Sequence, residues 1–184
     1  MKSAGCAGIN FGVDSLCDEQ LKRIGRTHSS EDIRRLVCLL HEEGFNYMFD
    51  LLMGGPGETG QTIRTTIDKA REFDVSLVGI ALGVRVYPAS PLGVAVTDGA
   101  ISEGLYPPEN EDPAQPLFYL SPYLGDTAVA MVNDLVANDP RFLQLSAPGE
   151  EGSYNYADDE YLSRLIEQGA RGAYWDILRQ HRKA

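Results

Sequence analysis

At 184 residues, 43% of them hydrophobic and 23% charged, the chain has the length of one ordinary domain and enough apolar side chains to fill a core. Disordered, collagen-like and disulfide-scaffold classes are excluded by that composition. No apolar stretch reaches the roughly 20 residues of a membrane-spanning helix, and Met1-Lys2-Ser3-Ala4-Gly5-Cys6 lacks the apolar run of a signal peptide, so a cytoplasmic protein without a membrane partner is expected. Sixteen basic residues against 27 acidic ones give a net charge of −11, which repels phosphate backbones and removes nucleic acid from the expected partners.

The first strand is predicted over Ile9 to Val13. A helix is predicted from Glu31 to Glu43, with Ile33, Leu36, Val37 and Leu40 on one face, a capping box at Ser29 and Asp32, and Gly44 at its end. The next strand runs from Asn46 to Met53. It leads through a Gly/Pro turn into a helix from Gln61 to Phe73 that Thr59 caps. A third strand spans Leu77 to Tyr87, where Pro88 and Pro91 end it. Strands alternating with helices in this way form βα units with parallel pairing.

Alternation inside these strands sorts the side chains further, because residues i and i+2 share a face. Ile9, Phe11 and Val13 oppose Asn10, Gly12 and Asp14. Tyr47, Phe49, Leu51 and Met53 oppose Asn46, Met48, Asp50 and Leu52. Val78, Ile80, Leu82, Val84 and Val86 oppose Gly79, Ala81, Gly83 and Arg85. A packed barrel interior is filled with branched side chains, so a face of small residues and carboxylates points to a lumen that holds a ligand. Asp14 and Asp50 fall near the C-terminal ends of their strands, where sites of parallel α/β folds form; the plainer role for each is a helix cap or a solvated edge carboxylate.

Charge divides the chain: residues 1–108 carry ten basic and 14 acidic side chains, residues 109–160 only Arg141 against 11 acidic ones, and residues 161–184 five against two. The Pro-rich acidic stretch from Tyr106 to Pro113 reads as a connector, which divides the chain into 1–105 and 106–184. Beyond it, a helix is predicted after Asp126, its possible N-cap, with Val129, Val132, Leu135 and Val136 inward and a stop at Asn138-Asp139-Pro140. Ser146 to Asp159 is a Gly-rich acidic segment that reads as a solvated loop, or more sharply as a binding lid. The last helix begins at Glu160 and carries Leu162, Leu165 and Ile166, then Tyr174 and Trp175, both read as core. Cys6, Cys17 and Cys38 fit neither a disulfide framework nor the spacing of a metal loop, so no metal ligand is assigned.

The strand-to-helix turn Phe49-Asp50-Leu51-Leu52-Met53-Gly54-Gly55-Pro56-Gly57-Glu58-Thr59 lets the backbone approach a ligand closely. Together with Phe11-Gly12-Val13-Asp14-Ser15, Gly25-Arg26-Thr27-His28 and Val84-Arg85-Val86-Tyr87-Pro88, its order and spacing resemble the second half of a radical S-adenosylmethionine enzyme over residues 1–93. The resemblance implies the C-terminal half of a partial (β/α)6 TIM-like barrel, three parallel strands followed by a mainly helical tail. In that family S-adenosylmethionine binds against a four-iron four-sulfur cluster, and its cleavage yields a 5′-deoxyadenosyl radical.

Carried over position by position, the resemblance implies a cofactor site. Asp14, with Gly12 and Ser15 beside it, sits near the methionine end. Arg26 pairs with the cofactor carboxylate, for which a guanidinium fork is suited. Asp50 accepts the ribose hydroxyls, Leu52 touches the adenine, Gly54, Gly55, Pro56 and Gly57 form the turn over the site, and the backbone near Arg85 meets the adenine edge. No catalytic residue is assigned.

The C-x-x-x-C-x-x-C cluster loop is absent from these 184 residues. The resemblance therefore implies a fragment of an iron–sulfur oxidoreductase or methyltransferase that is inactive alone, the cluster belonging to the full-length parent. The tail, with Phe118-Tyr119-Leu120-Ser121-Pro122 and Gly172-Ala173-Tyr174-Trp175-Asp176, is similar to the C-terminal region of cobalamin-dependent members, which implies cobalamin in the parent. Two other readings stand beside this one. One is a non-catalytic module that self-associates through its open sheet edges. The other is a coproporphyrinogen-oxidase-like fragment, suggested by Gly25-Arg26-Thr27-His28. The expected partners are a second copy of the chain and the N-terminal half of the barrel.

Overall fold

The computed structural model describes residues 1–107, 116–143 and 160–181. Most of the predicted connector and the whole of the predicted Ser146 to Asp159 loop lie outside these residues. Three parallel strands form the main sheet in the order β1 (Ile9–Asp14), β2 (Tyr47–Met53) and β3 (Val78–Leu82). Between them run α1 (Asp18–Arg23), α2 (Ser30–Glu42) and α3 (Gly60–Glu72).

Local chemistry sets the helix ends. Ser29 and Asp32 form the predicted capping box of α2, and Thr59 with Thr62 forms the equivalent box of α3. Glu43 is the C-cap of α2, and Gly44 follows it with φ +58°, the left-handed conformation that lets the chain turn back into β2.

One face of the sheet carries Val13, Tyr47, Phe49, Leu51, Met53, Val78, Ile80 and Leu82, all buried in one core with Ile33, Val37 and Leu40 of α2 and Ile63, Ile67 and Ala70 of α3. Burial of a large aliphatic or aromatic side chain is worth about 1.5–3 kcal/mol, so this face dominates the stability of the layer. Helix α5 (Ala128–Val136) adds Ala128, Val132 and Val136 to the same core, and an ion pair of Arg71 with Asp139 at 3.0 Å fastens the region after it to α3.

The third strand is shorter than the alternation predicts. Val78–Leu82 ends at Gly83, whose φ of +91° breaks the extended run, and Val84–Arg85 (β4) belongs to a different sheet. In that sheet β4 and β5 (Leu105–Tyr106) both pair antiparallel with β6 (Phe118–Tyr119). Residue 105 thus lies within this small sheet, in its edge strand β5, with β6 at the centre and β4 at the other edge. Helix α4 (Pro91–Thr97) crosses between β4 and β5.

Three further expectations for the tail are corrected. The N-cap of α5 is Thr127 with no side-chain cap bond, because a 3-10 turn over Gly125–Thr127 places Asp126 inside the preceding turn. The last predicted helix is two, α6 (Glu160–Glu167) and α7 (Tyr174–His181), interrupted where Gly169 and Gly172 take φ of +102° and +133°. Trp175 is core, but Tyr174 is 50% exposed.

The two edges of the main sheet differ. Residues 141–143 run beside β3, with Val78 N–H donating to Arg141 O (2.7 Å) and Leu143 N–H donating to Val78 O (2.8 Å). Among the described residues no strand pairs with the outer edge of β1.

Candidate functional site

The face of the sheet turned away from α2 and α3 is closed at one end and open at the other. At the N-terminal end of the strands, Trp175 of α7 packs with Met48 and Leu77, and its ring lies 3.0 Å from where a Cβ on Gly8 would stand. Toward the C-terminal end the register sets Gly12, Asp50 and Gly79 side by side across the three strands. The next row places Leu52 beside Ala81. A carboxylate thus stands between two glycines, with a small apolar floor beyond it.

Asp50 is held in that row. The side-chain amide of Asn10, on the same face of β1, donates to Asp50 Oδ2 at 2.6 Å. A Cβ on Gly79 would stand 2.9 Å from Asp50 Oδ1, closer than real Cβ contacts come, so glycine there is a requirement of the carboxylate's position. On the other side a Cβ on Gly12 would meet nothing within 4 Å, and this is the open part of the floor.

Asp14 and Arg26 are brought together. A bulge between Gly12 and Asp14 shifts the register so that Asp14 lies opposite Leu51, and Asp14 takes φ +60°, a conformation that aspartate tolerates better than most residues. Its carboxylate accepts from Nε of Arg26 and forms an ion pair with Nη2 of the same guanidinium. Ser15, next along, is buried on the helix side: its hydroxyl shares a hydrogen bond with Thr66 Oγ1 (2.9 Å) and accepts from the N–H of Cys17 (3.1 Å), which fixes the entry to α1.

The turn from β2 to α3 is packed from within. Gly54 and Gly57 have φ of +92° and +71°, and Cβ atoms on Gly54, Gly55 and Gly57 would meet Leu120 Cδ1 at 2.5 Å, Gln20 Nε2 at 2.9 Å and Arg23 Nη1 at 2.8 Å. The close approaches that these glycines permit are therefore to protein side chains, and Pro56 sits among them. Arg23 donates from Nη1 to Gly57 O, and Ser121 closes the turn by donating its N–H to Gly54 O (2.8 Å) and its hydroxyl to Glu58 O (2.7 Å).

Glu58 is 1% exposed, and its Oε2 accepts from the N–H groups of Gly54 (2.6 Å) and Gly55 (3.2 Å). Burial pushes its carboxyl up to about 7, against the lowering effect of those two donors and of the Arg23 charge. The amide of Gln20 lies at the same turn, fully buried, and neither of its polar atoms has a partner among the described residues. Arg85 sits in β4 with its side chain exposed and its guanidinium 5.3 Å from the centre of the Tyr87 ring.

Asn10, Glu58, Gln20 and Ser121 are absent from the site expected from sequence. Asn10 was visible as the neighbour of Gly12 on the polar face of its strand. Glu58 was readable only as the residue four after Gly54. Ser121 lies in the Phe118-Tyr119-Leu120-Ser121-Pro122 segment of the tail, but nothing local marks its contact with the turn or that of Gln20, which form across 63 and 35 positions of the chain respectively.

Among the described residues no group of three or more His, Cys, Asp or Glu side chains is placed to hold a metal ion, and no helix is long and apolar enough to cross a membrane. Cys6 is half-buried, Cys17 buried and Cys38 exposed, and they do not form a cluster's thiolate set. For S-adenosylmethionine the residue chemistry fits better: a carboxylate suits vicinal hydroxyls, Leu52 and Ala81 suit an apolar ring, and a Cβ on Gly12 would meet nothing within 4 Å, so the floor beside Asp50 is unobstructed there.

An α/β layer of three parallel strands with a carboxylate and a glycine-rich turn at its C-terminal end is a partial barrel of the kind found in the radical SAM superfamily, and the family model of that superfamily matches residues 1–70. It is 26% identical over 227 residues to tryptophan 2-C-methyltransferase of Streptomyces laurentii, an alignment that covers 95% of this chain and 38% of that enzyme. The radical S-adenosylmethionine methyltransferase TsrM of Kitasatospora setae, solved with tryptophan substrate and an S-adenosylmethionine analogue, superposes with a TM-score of 0.77 at 28% identity, covering 97% of this chain and 42% of that one. The same enzyme with cobalamin and a [4Fe-4S] cluster gives a TM-score of 0.73 at 27% identity and the same coverage. The heme chaperone HemW of Bacillus subtilis is 35% identical over 75 residues, 40% of this chain and 20% of that protein. The chain spans about two fifths of the length of the two methyltransferases.

Proposed function

We propose that this chain supplies the ribose, adenine and carboxylate side of an S-adenosylmethionine site in a methyltransferase whose acceptor is an aromatic amino acid such as tryptophan. The observation that carries the reading is the row Gly12, Asp50, Gly79, in which a carboxylate oriented by Asn10 stands beside open floor. Asp50 accepts the two ribose hydroxyls, and Asn10 fixes the carboxylate for them. Leu52 and Ala81 meet the adenine ring, whose edge lies against the backbone near Arg85. Arg26, steadied by Asp14, pairs with the cofactor carboxylate. Gly54, Gly55, Pro56 and Gly57, locked by Glu58 and Ser121, form the rim, and Ser15 secures the turn that carries Asp14.

When bound, S-adenosylmethionine supplies an activated methyl group. The thiolates of a cluster are not provided by Cys6, Cys17 and Cys38, so the chain is inactive alone, and cobalamin belongs to the whole protein rather than to these residues. Methyl transfer is preferred to oxidoreductase chemistry because the similarity to the methyltransferases extends over 95% and 97% of the chain, whereas the HemW similarity stops at 40%.

Calorimetric titration of the purified chain with S-adenosylmethionine, beside Asp50→Ala, tests the reading. Saturable binding that the substitution abolishes supports it. Absence of binding by the native chain, or binding that Asp50→Ala leaves unchanged, overturns it.

A second reading, a module that self-associates, is favoured by the outer edge of β1, which no described strand covers. A monomer by light scattering at high concentration would dismiss it.

A further inference from the structure

The small antiparallel sheet carries chemistry that the S-adenosylmethionine reading leaves unused. Its register sets Arg85 opposite Phe118 and Tyr106 opposite Phe118 from the other side. Directly opposed residues share a face, so a guanidinium and two aromatic rings stand in one line. The other face, Val84, Tyr119 and Leu105, turns inward: Tyr119 is buried, and a methyl of Val84 comes within 3.8 Å of where a Cβ on Gly55 would stand. Arg85 and Tyr106 are exposed and Phe118 is half-buried.

Arg85 is both placed and available. Its guanidinium lies over the ring of Tyr87, 5.3 Å from the centroid, a contact that restricts the side chain while leaving its N–H edge open. In a chain with 27 acidic residues, it makes no ion pair among the described residues. A guanidinium edge matches a carboxylate, and the faces of Phe118 and Tyr106 match a planar ring. A phosphate would have no use for the rings, and an apolar ligand none for the cation.

We propose that Arg85, Phe118 and Tyr106 form a binding face for a planar aromatic ligand that carries a carboxylate, with Arg85 taking the carboxylate and the two rings stacking on the ligand. The face lies at the end of the sheet that also holds Asp50 and Leu52, since β4 begins two residues after β3 ends and Val84 packs toward the Gly54–Gly55 turn. The inference rests on the proposed function for its choice of acceptor, and it adds the residues that would select that acceptor.

The test is titration of the full chain, by calorimetry or ligand-observed NMR, with L-tryptophan, 3-indolepropionate, which keeps the carboxylate and lacks the amine, and tryptamine, which lacks the carboxylate. L-Tryptophan and 3-indolepropionate are expected to bind, with tryptamine about tenfold weaker, the scale of one lost charge-assisted hydrogen bond. Arg85→Gln should bring the three ligands to one weak affinity, and Tyr106→Ser should weaken all three together; circular dichroism checks that both variants fold. No saturable binding of 3-indolepropionate, or binding that Arg85→Gln leaves unchanged, overturns the inference. Asp50→Asn separates it from the cofactor reading: loss of S-adenosylmethionine binding with 3-indolepropionate binding intact is expected. Failure of native S-adenosylmethionine binding alone would sink the cofactor reading, and failure of 3-indolepropionate binding alone would sink this one.

Discussion

The side-chain amide of Asn10 donates to the carboxylate of Asp50 at 2.6 Å across the junction of β1 and β2, and the two side chains stand on the same face of neighbouring strands. A hydrogen bond to an ionised carboxylate is worth about 1.5–3 kcal/mol where solvent is limited, and less at an exposed position such as this. Its main consequence is orientation: the bond to Oδ2 fixes the plane in which the carboxylate can accept other donors.

Asn10→Ala is therefore expected to weaken S-adenosylmethionine binding about tenfold while the melting temperature stays within a degree or two, because Asn10 is exposed and leaves no cavity. Calorimetry beside thermal unfolding reads both quantities. A large fall in melting temperature would make Asn10 a structural rather than a positioning residue.

Gly12 and Gly79 flank Asp50 in one row, yet alanine should act differently at each. At Gly12 a Cβ meets nothing, so Gly12→Ala should fold normally and weaken S-adenosylmethionine binding by filling the floor. At Gly79 a Cβ stands 2.9 Å from Asp50 Oδ1 and 3.5 Å from the sulfur of Met48, so Gly79→Ala should weaken binding and also cost about 1–3 kcal/mol of stability from overpacking. Chemical denaturation of the two variants checks the contrast; equal stabilities would refute it.

How much of this was legible in the sequence can be seen from the strands themselves. Period-two alternation placed Asp50, Gly12 and Gly79 on one face without any structure, because the apolar residues between them could only face the helices. The same rule failed at Gly83: alternation continues through Val84 and Val86, but a glycine with positive φ ends the strand, and single-residue backbone conformation is invisible to a hydrophobic pattern. The break between α6 and α7 was missed for the same reason, at Gly169 and Gly172. The pairing of Asp14 with Arg26 follows from a bulge, and the strap from Ser121 to the Gly54 turn from a contact 63 positions away, neither of which is encoded by local periodicity.

Glu58 makes stability depend on pH. Its folded value, about 7, lies above the ordinary carboxylate value of 4.5, so the folded state holds a proton that the unfolded chain has released. The stabilising contribution of the protonated group is complete below the unfolded value and is lost as pH rises through the folded one. Urea unfolding should show the native chain losing stability between pH 5 and pH 8, by at most about 3 kcal/mol, with Glu58→Gln flat over the same window. Equal slopes in the two proteins would show that the buried carboxyl does not titrate there.

Ser121 ties the tail to the cofactor turn through two bonds, its N–H to Gly54 O at 2.8 Å and its hydroxyl to Glu58 O at 2.7 Å, and it is 1% exposed. Ser121→Ala removes only the second, leaving the buried carbonyl of Glu58 without that donor at a cost of about 1–2 kcal/mol. Hydrogen exchange provides a sharper reading than global stability. The amides of Gly54 and Gly55, which donate to Glu58 Oε2, should lose protection in the variant more than the core amides of β2 do, because the strap holds the turn rather than the strand. Ser121→Thr keeps the hydroxyl and should restore most of that protection. Uniform loss across β2 and the turn would mean that Ser121 acts on the fold as a whole and has no particular hold on the Gly54–Gly57 rim.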